Sequence, residues 1–175
     1  FSLTLELMIY THIWESFHNL HNYKKLADLC DSKEYSWNID IGKQSRFTFI
    51  KNNIKSVFQK HNLKIYELLE KSYHSQLRNA FAHSLYHFGL NGHNIVLENF
   101  DGKNANIKQL SFDEWTERFL ISALMQNIYH NKFTTEIESL EDGKEYEVKM
   151  EFNGESEIGI ISYDKKRNRF NGDIK

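Results

Sequence analysis

Residues 63–88 read Leu63-Lys-Ile-Tyr-Glu-Leu-Leu-Glu-Lys-Ser-Tyr-His-Ser-Gln-Leu-Arg-Asn-Ala-Phe-Ala-His-Ser-Leu-Tyr-His-Phe88 and hold neither glycine nor proline. The run free of both reaches back to Lys43 and covers 46 residues. Glycine and proline are the strongest local breakers, so their absence predicts long helices. One helix is expected over roughly Leu63–Phe88, stopped by Gly89. Before it, a helix over 45–60 would carry Phe47, Ile50, Ile54, Val57 and Phe58 on its apolar face, with a short break near Asn62.

Working outward, Leu3, Leu7, Tyr10, Trp14, Phe17 and Leu20 are spaced for an amphipathic helix over 3–30, and 31–43 looks like a loop. Beyond Gly89 the period changes. Runs at 94–99 and 105–110 flank Asp101-Gly102, a hairpin signal. Ser111-Phe-Asp-Glu114 is a capping box. It should open a fourth helix over 112–133 with Trp115, Phe119, Ala123 and Ile128 inward. A strand meander follows at 144–152, 156–163 and 167–174, with turns at Asn153-Gly154 and around Lys165-Lys166. The expected class is α+β, mainly α. Residues 1–140 would form the helical domain and 141–175 a small β appendage packed on it.

The 175 residues, 40% hydrophobic and 26% charged, suit a globular domain. The net charge of -2 excludes a polycation that coats nucleic acid. The charge is uneven, however: residues 44–88 hold 7 basic and 2 acidic groups, whereas 89–175 hold 11 basic and 16 acidic. The long helical stretch is thus the basic part. Cys30 is alone, which excludes an intrachain disulfide and fits a reducing, cytoplasmic setting. The start, Phe1-Ser-Leu-Thr-Leu-Glu6, lacks the features of a signal peptide, and no apolar run is long enough to span a membrane. Without an initiator Met, the chain is expected to be part of a longer protein or to lack its own start.

The chemistry concentrates in Leu77–Phe88. At about 100° per residue, Leu77, Ala80, Phe81, Leu85 and Phe88 share a core face. Ser75, Gln76, Asn79, His83 and Tyr86 share a polar one. Arg78 falls on the flank, about 140° from His83. An imidazole can move a proton near neutrality and a guanidinium can hold a phosphate. The pair suits cleavage of a phosphodiester by attack of the ribose 2′-OH. His83 would be the general acid or base and Arg78 would stabilise the charge. Asn79 would orient one or the other, and no metal is needed.

Arg78-Asn79-Ala80-Phe81-Ala82-His83 resembles the signature of the HEPN superfamily (higher eukaryotes and prokaryotes nucleotide-binding domain). That signature is Arg, a polar residue that is often Asn, three variable residues and His, on a helix of an all-α bundle. The resemblance covers 44–133 well and 1–30 loosely. It implies a four-helix bundle with an inserted β-hairpin, here followed by a small C-terminal antiparallel sheet. It also implies a homodimer whose two motifs meet in an interface cleft. The implied activity is that of a metal-independent endoribonuclease in prokaryotic antiviral defence or a toxin–antitoxin pair, with RNA as substrate and an antitoxin or other protein as a further partner. Arg78, His83 and Asn79 would then be catalytic, with Gln76, Tyr86 and His87 as substrate-binding neighbours. Neither cofactor nor metal is expected. One toxin branch carries Tyr two residues after the motif His; here that place is Leu85, and the Tyr is Tyr86. The alternative is a catalytically silent HEPN-like dimer that binds nucleotide, RNA or a partner protein through the same face.

Other signals are weaker. His83 and His87 are four apart, but a third metal ligand is missing. Cys30 reads as a small buried hydrophobe and Lys165–Arg169 as a charged turn. The sequence has no Gly-rich phosphate loop, no nucleophile elbow and no acidic metal cluster, so kinase, P-loop, hydrolase and two-metal nuclease chemistries lack a basis.

Overall fold

The computed structural model describes residues 2–33, 39–41, 44–100, 106–152 and 155–174. The chain is α+β and mainly helical, as expected. Two helices, α1 (Ser2–Glu15) and α2 (Phe17–Cys30), replace the single one expected over 3–30. Ser16 leaves helical geometry, and its hydroxyl accepts the Asn19 amide to start α2. Asn19 in turn donates to the Ile13 carbonyl, and Gln126 holds the Asn19 side chain from the opposite side.

The run expected over 45–60 is present as α3 (Arg46–Phe49), a π-helical segment Ile50–Lys55 and α4 (Ser56–Lys60). Ile50, Ile54, Val57 and Phe58 are buried along it, as their spacing predicts.

The helix expected over 63–88 is instead three elements: α5 (Lys64–Ser72), α6 (Ser75–Ala82) and strand β1 (Tyr86–Phe88). Tyr73 and His74 are extended between the helices. One distant hydroxyl makes that break tolerable. Tyr10 of α1 donates to the Ser72 carbonyl at 2.9 Å and accepts the His74 amide at 3.1 Å. Arg118 donates to the Lys71 carbonyl at 2.7 Å. Each such backbone group left buried and unpaired would cost about 1–3 kcal/mol.

Helices α2, α4 and α6 end alike. Ser32, Asn62 and Ser84 adopt left-handed φ values of 55°, 52° and 55°. The next amide then bonds a carbonyl five residues back: Lys33 to Asp28 at 2.9 Å, Leu63 to Phe58 at 3.0 Å, Leu85 to Ala80 at 2.8 Å. This is the Schellman closure that glycine ordinarily serves. Gly89, expected to stop a helix, lies instead in the turn after β1, where its amide bonds the Asn94 carbonyl.

Strands β1, β2 (Asn94–Leu97) and β3 (Gln109–Ser111) form an antiparallel sheet in that order, one strand more than the expected hairpin. Its register sets Ile95 opposite Leu110 and Leu97 opposite Tyr86; Ile95, Leu97 and Leu110 are buried in the core. The expected turn at Asp101-Gly102 lies outside the described residues, as do Asn153-Gly154 and parts of the 31–43 loop.

The capping box at Ser111 and Glu114 opens α7 (Phe112–Ser139) as expected. Trp115 is buried, but Ile128 is 61% exposed, contrary to its expected inward position. The last buried residue along α7 is Met125, so its distal half leaves the core. Edge-to-face rings knit α1, α6 and α7: Tyr10 lies 5.2 Å from Trp115, and Phe81 lies 5.0 Å from it. Strands β4 (Glu145–Phe152), β5 (Glu155–Asp164) and β6 (Arg169–Ile174) form the expected meander. Its buried Tyr163 packs on Phe170 and lies outside the core cluster of the helical part.

Candidate functional site

Helix α6 is anchored by Leu77, Ala80 and Phe81, the core face read from its periodicity. The periodicity places Leu85 and Phe88 on that face as well, but they are exposed because the helix ends before them. The polar residues then divide sharply.

Gln76 is buried and works as a clamp. Its amide nitrogen donates to the Ile107 carbonyl at 2.7 Å and the Asn99 carbonyl at 3.2 Å, and its oxygen accepts the Ile107 amide at 2.9 Å. The Asn99 side chain returns a bond to the Gln76 carbonyl at 2.9 Å. Both donors of the Gln76 amide are thereby used on the β2–β3 connection, which leaves none for a substrate.

Arg78 turns toward α1. Its guanidinium pairs with Glu15 at 2.5 Å, and its side chain is only 11% exposed. Arg46 approaches the other Glu15 oxygen at 3.9 Å and lies over the Phe17 ring. One carboxylate thus lies between two guanidiniums. The Arg78 Nε and the Tyr73 hydroxyl are both buried, and Arg78 offers that hydroxyl a hydrogen bond. Burial pushes the Tyr73 phenol up, and the neighbouring Arg78 charge opposes the shift.

The second turn of α6 is different. Asn79 is half-buried and His83 exposed, and among the described residues neither side chain has a hydrogen-bond partner. His83 is the last residue before the left-handed Ser84, so its imidazole stands at the very end of the helix. No hydrogen bond or ion pair joins Arg78 to His83, in line with their angular separation. Tyr86 leaves the helix for β1 and packs edge-on against Phe81 at 5.3 Å. His87, on the same strand, pairs with Glu98 at 2.8 Å.

Among the described residues, no group of three or more His, Cys, Asp or Glu is placed to hold a metal, and no helix is long and apolar enough to cross a membrane. Family models, curated proteins and solved structures offer no match to this chain. Sequence reasoning missed Glu15. Nothing in its local pattern signals a role, because its partner stands 63 residues away.

Proposed function

We propose that this chain is a HEPN-type endoribonuclease. Its helical part would be a four-helix bundle that works as a homodimer and cleaves RNA without metal, in prokaryotic defence or a toxin–antitoxin pair. The supporting observation is the open second turn of α6, where the Asn79 and His83 side chains have no hydrogen-bond partner among the described residues. His83 there takes the proton of the attacking 2′-OH; the bond from phosphorus to the 5′ oxygen breaks, and that oxygen receives a proton in turn. Arg78 joins by exchanging Glu15 for the phosphate, since carboxylate and phosphate oxygens are equivalent acceptors for a guanidinium fork. The dimer brings two such motifs to one cleft and answers the angular separation within a single helix.

The test is RNA cleavage in EDTA by the wild-type chain. The expected products carry 2′,3′-cyclic phosphate ends, and Arg78→Ala should lose at least about 100-fold in rate. Full activity in that variant would remove Arg78 from the site. A second reading, the silent binding module, is favoured by the commitment of Arg78 to Glu15. It predicts saturable RNA or nucleotide binding with no cleavage at any enzyme concentration.

A further inference from the structure

Residues 106–110 form one wall of a wedge of about 420 Å³, and Glu114 and Arg118 of α7 form the other. Glu114 and Arg118 are four apart, so both project from one face of the helix.

The first wall is a sheet edge, because β3 pairs with β2 on one side only. The Leu97 amide bonds the Lys108 carbonyl at 2.9 Å, and the Phe112 amide bonds the His93 carbonyl at 2.9 Å. Antiparallel bonds recur at every second residue. Lys108, Leu110 and Phe112 therefore bond toward β2, whereas Gln109 and Ser111 point their backbone groups away from it. Ser111 spends its amide on Glu114 at 2.8 Å. Ile107, at the other end of the edge, is held by Gln76 through both its amide and its carbonyl. Gln109 is exposed and lines the wedge, and its N–H and C=O are left open to an added strand.

The unpaired charge beside that edge is positive. Arg118 is half-buried and donates through Nη1 to the Lys71 carbonyl at 2.7 Å. The rest of its fork has no carboxylate within ion-pair distance among the described residues, and neither has the exposed Lys108. Glu114 is already committed: its Oε2 accepts the Ser111 amide and hydroxyl. Those bonds hold its carboxyl below the ordinary value, so it stays charged. A phosphate chain would meet that negative charge and has no backbone amide to offer Gln109. A peptide has the amide, and a single side-chain carboxylate matches the fork of Arg118.

We propose that the wedge binds an extended acidic segment of a partner protein, which adds to β3 at Gln109 and sets an Asp or Glu carboxylate on Arg118 and Lys108. This is strand addition with one charge-reading pocket. The site shares no residue with Arg78, Asn79 and His83, so it stands whether or not the chain cleaves RNA.

The test is selection on the whole chain from a phage library of random heptapeptides, followed by calorimetry with the selected peptides. These should share an Asp or Glu among strand-forming residues. Replacing that acid by its amide should weaken binding about tenfold, the effect of one lost charge-assisted contact. N-methylation along the peptide should weaken binding several-fold at one position or more, where the main-chain bond to Gln109 is lost. Lys108→Glu, an exposed change that spares the fold, should weaken binding about tenfold, and so should Arg118→Gln. A short 2′-O-methyl RNA strand should not displace the peptide. The proposal is overturned if no peptide is enriched, if the enriched peptides lack an acid, or if Lys108→Glu and Arg118→Gln both leave binding unchanged. Displacement by the RNA strand would also overturn it and assign the wedge to nucleic acid.

Discussion

The two turns of α6 carry similar polar residues to opposite ends. In the first turn Gln76 is buried with both donors spent on the β2–β3 connection, and Arg78 is tied to Glu15. In the second, the Asn79 and His83 side chains carry no hydrogen bond among the described residues, and the imidazole stands open at the helix end. A buried side chain whose hydrogen bonds are filled by backbone builds the fold. An exposed one with none is available to a ligand. Four residues of one helix span that change, because Schellman closure at Ser84 ends the helix before it can be buried along its whole length.

The largest expected stability effect is in the first turn. Gln76→Ala leaves the Ile107 amide and two carbonyls without their partner, and should cost about 3 kcal/mol in urea unfolding. A loss below about 1 kcal/mol would mean that the connection is held elsewhere. Next comes Tyr10→Phe, which strips one hydroxyl from the Ser72 carbonyl and the His74 amide and should cost about 2 kcal/mol. Unchanged stability would show that water serves those groups instead.

Glu15→Gln sharpens the comparison. It weakens the hold on Arg78 at a small cost in stability, about 1 kcal/mol. If Glu15 covers the guanidinium, RNA cleavage should rise several-fold. A fall would make Glu15 a positioning residue for Arg78.

The smallest and most gradual effect is that of pH. His74 is held below its ordinary value by burial first and by the Arg118 guanidinium second, and His21 is lowered mainly by burial. The unfolded chain therefore takes up protons that the folded one refuses. Stability should be fully present above about pH 6.5 and decline as pH falls below it. A flat profile between pH 7 and 5 would show that neither ring is disfavoured as a cation.

Much of this was legible in the chain. The core face of α6, the capping box at Ser111 and the C-terminal meander follow from local pattern. The helix ends at Cys30 and Lys60 follow too, but the end of α6 did not, because Ser84 stands where glycine is ordinarily read. Nor did the break at Tyr73–His74, whose hydrogen bonds come from Tyr10, 62 residues away. The site shows the same limit. The separation of Arg78 from His83 is a matter of helix phase and can be counted from the sequence. The capture of Arg78 by Glu15 and the consumption of Gln76 are tertiary, and spacing alone does not encode them.

The most direct measurement puts thermal unfolding and RNA cleavage on the same preparation of His83→Ala. With His83 exposed and unpartnered, the variant should unfold within about 0.5 kcal/mol of wild type. Its cleavage in EDTA should fall at least about 100-fold. A variant that keeps wild-type cleavage, or that loses stability as Gln76→Ala does, would contradict the division of α6 into a structural turn and an open one.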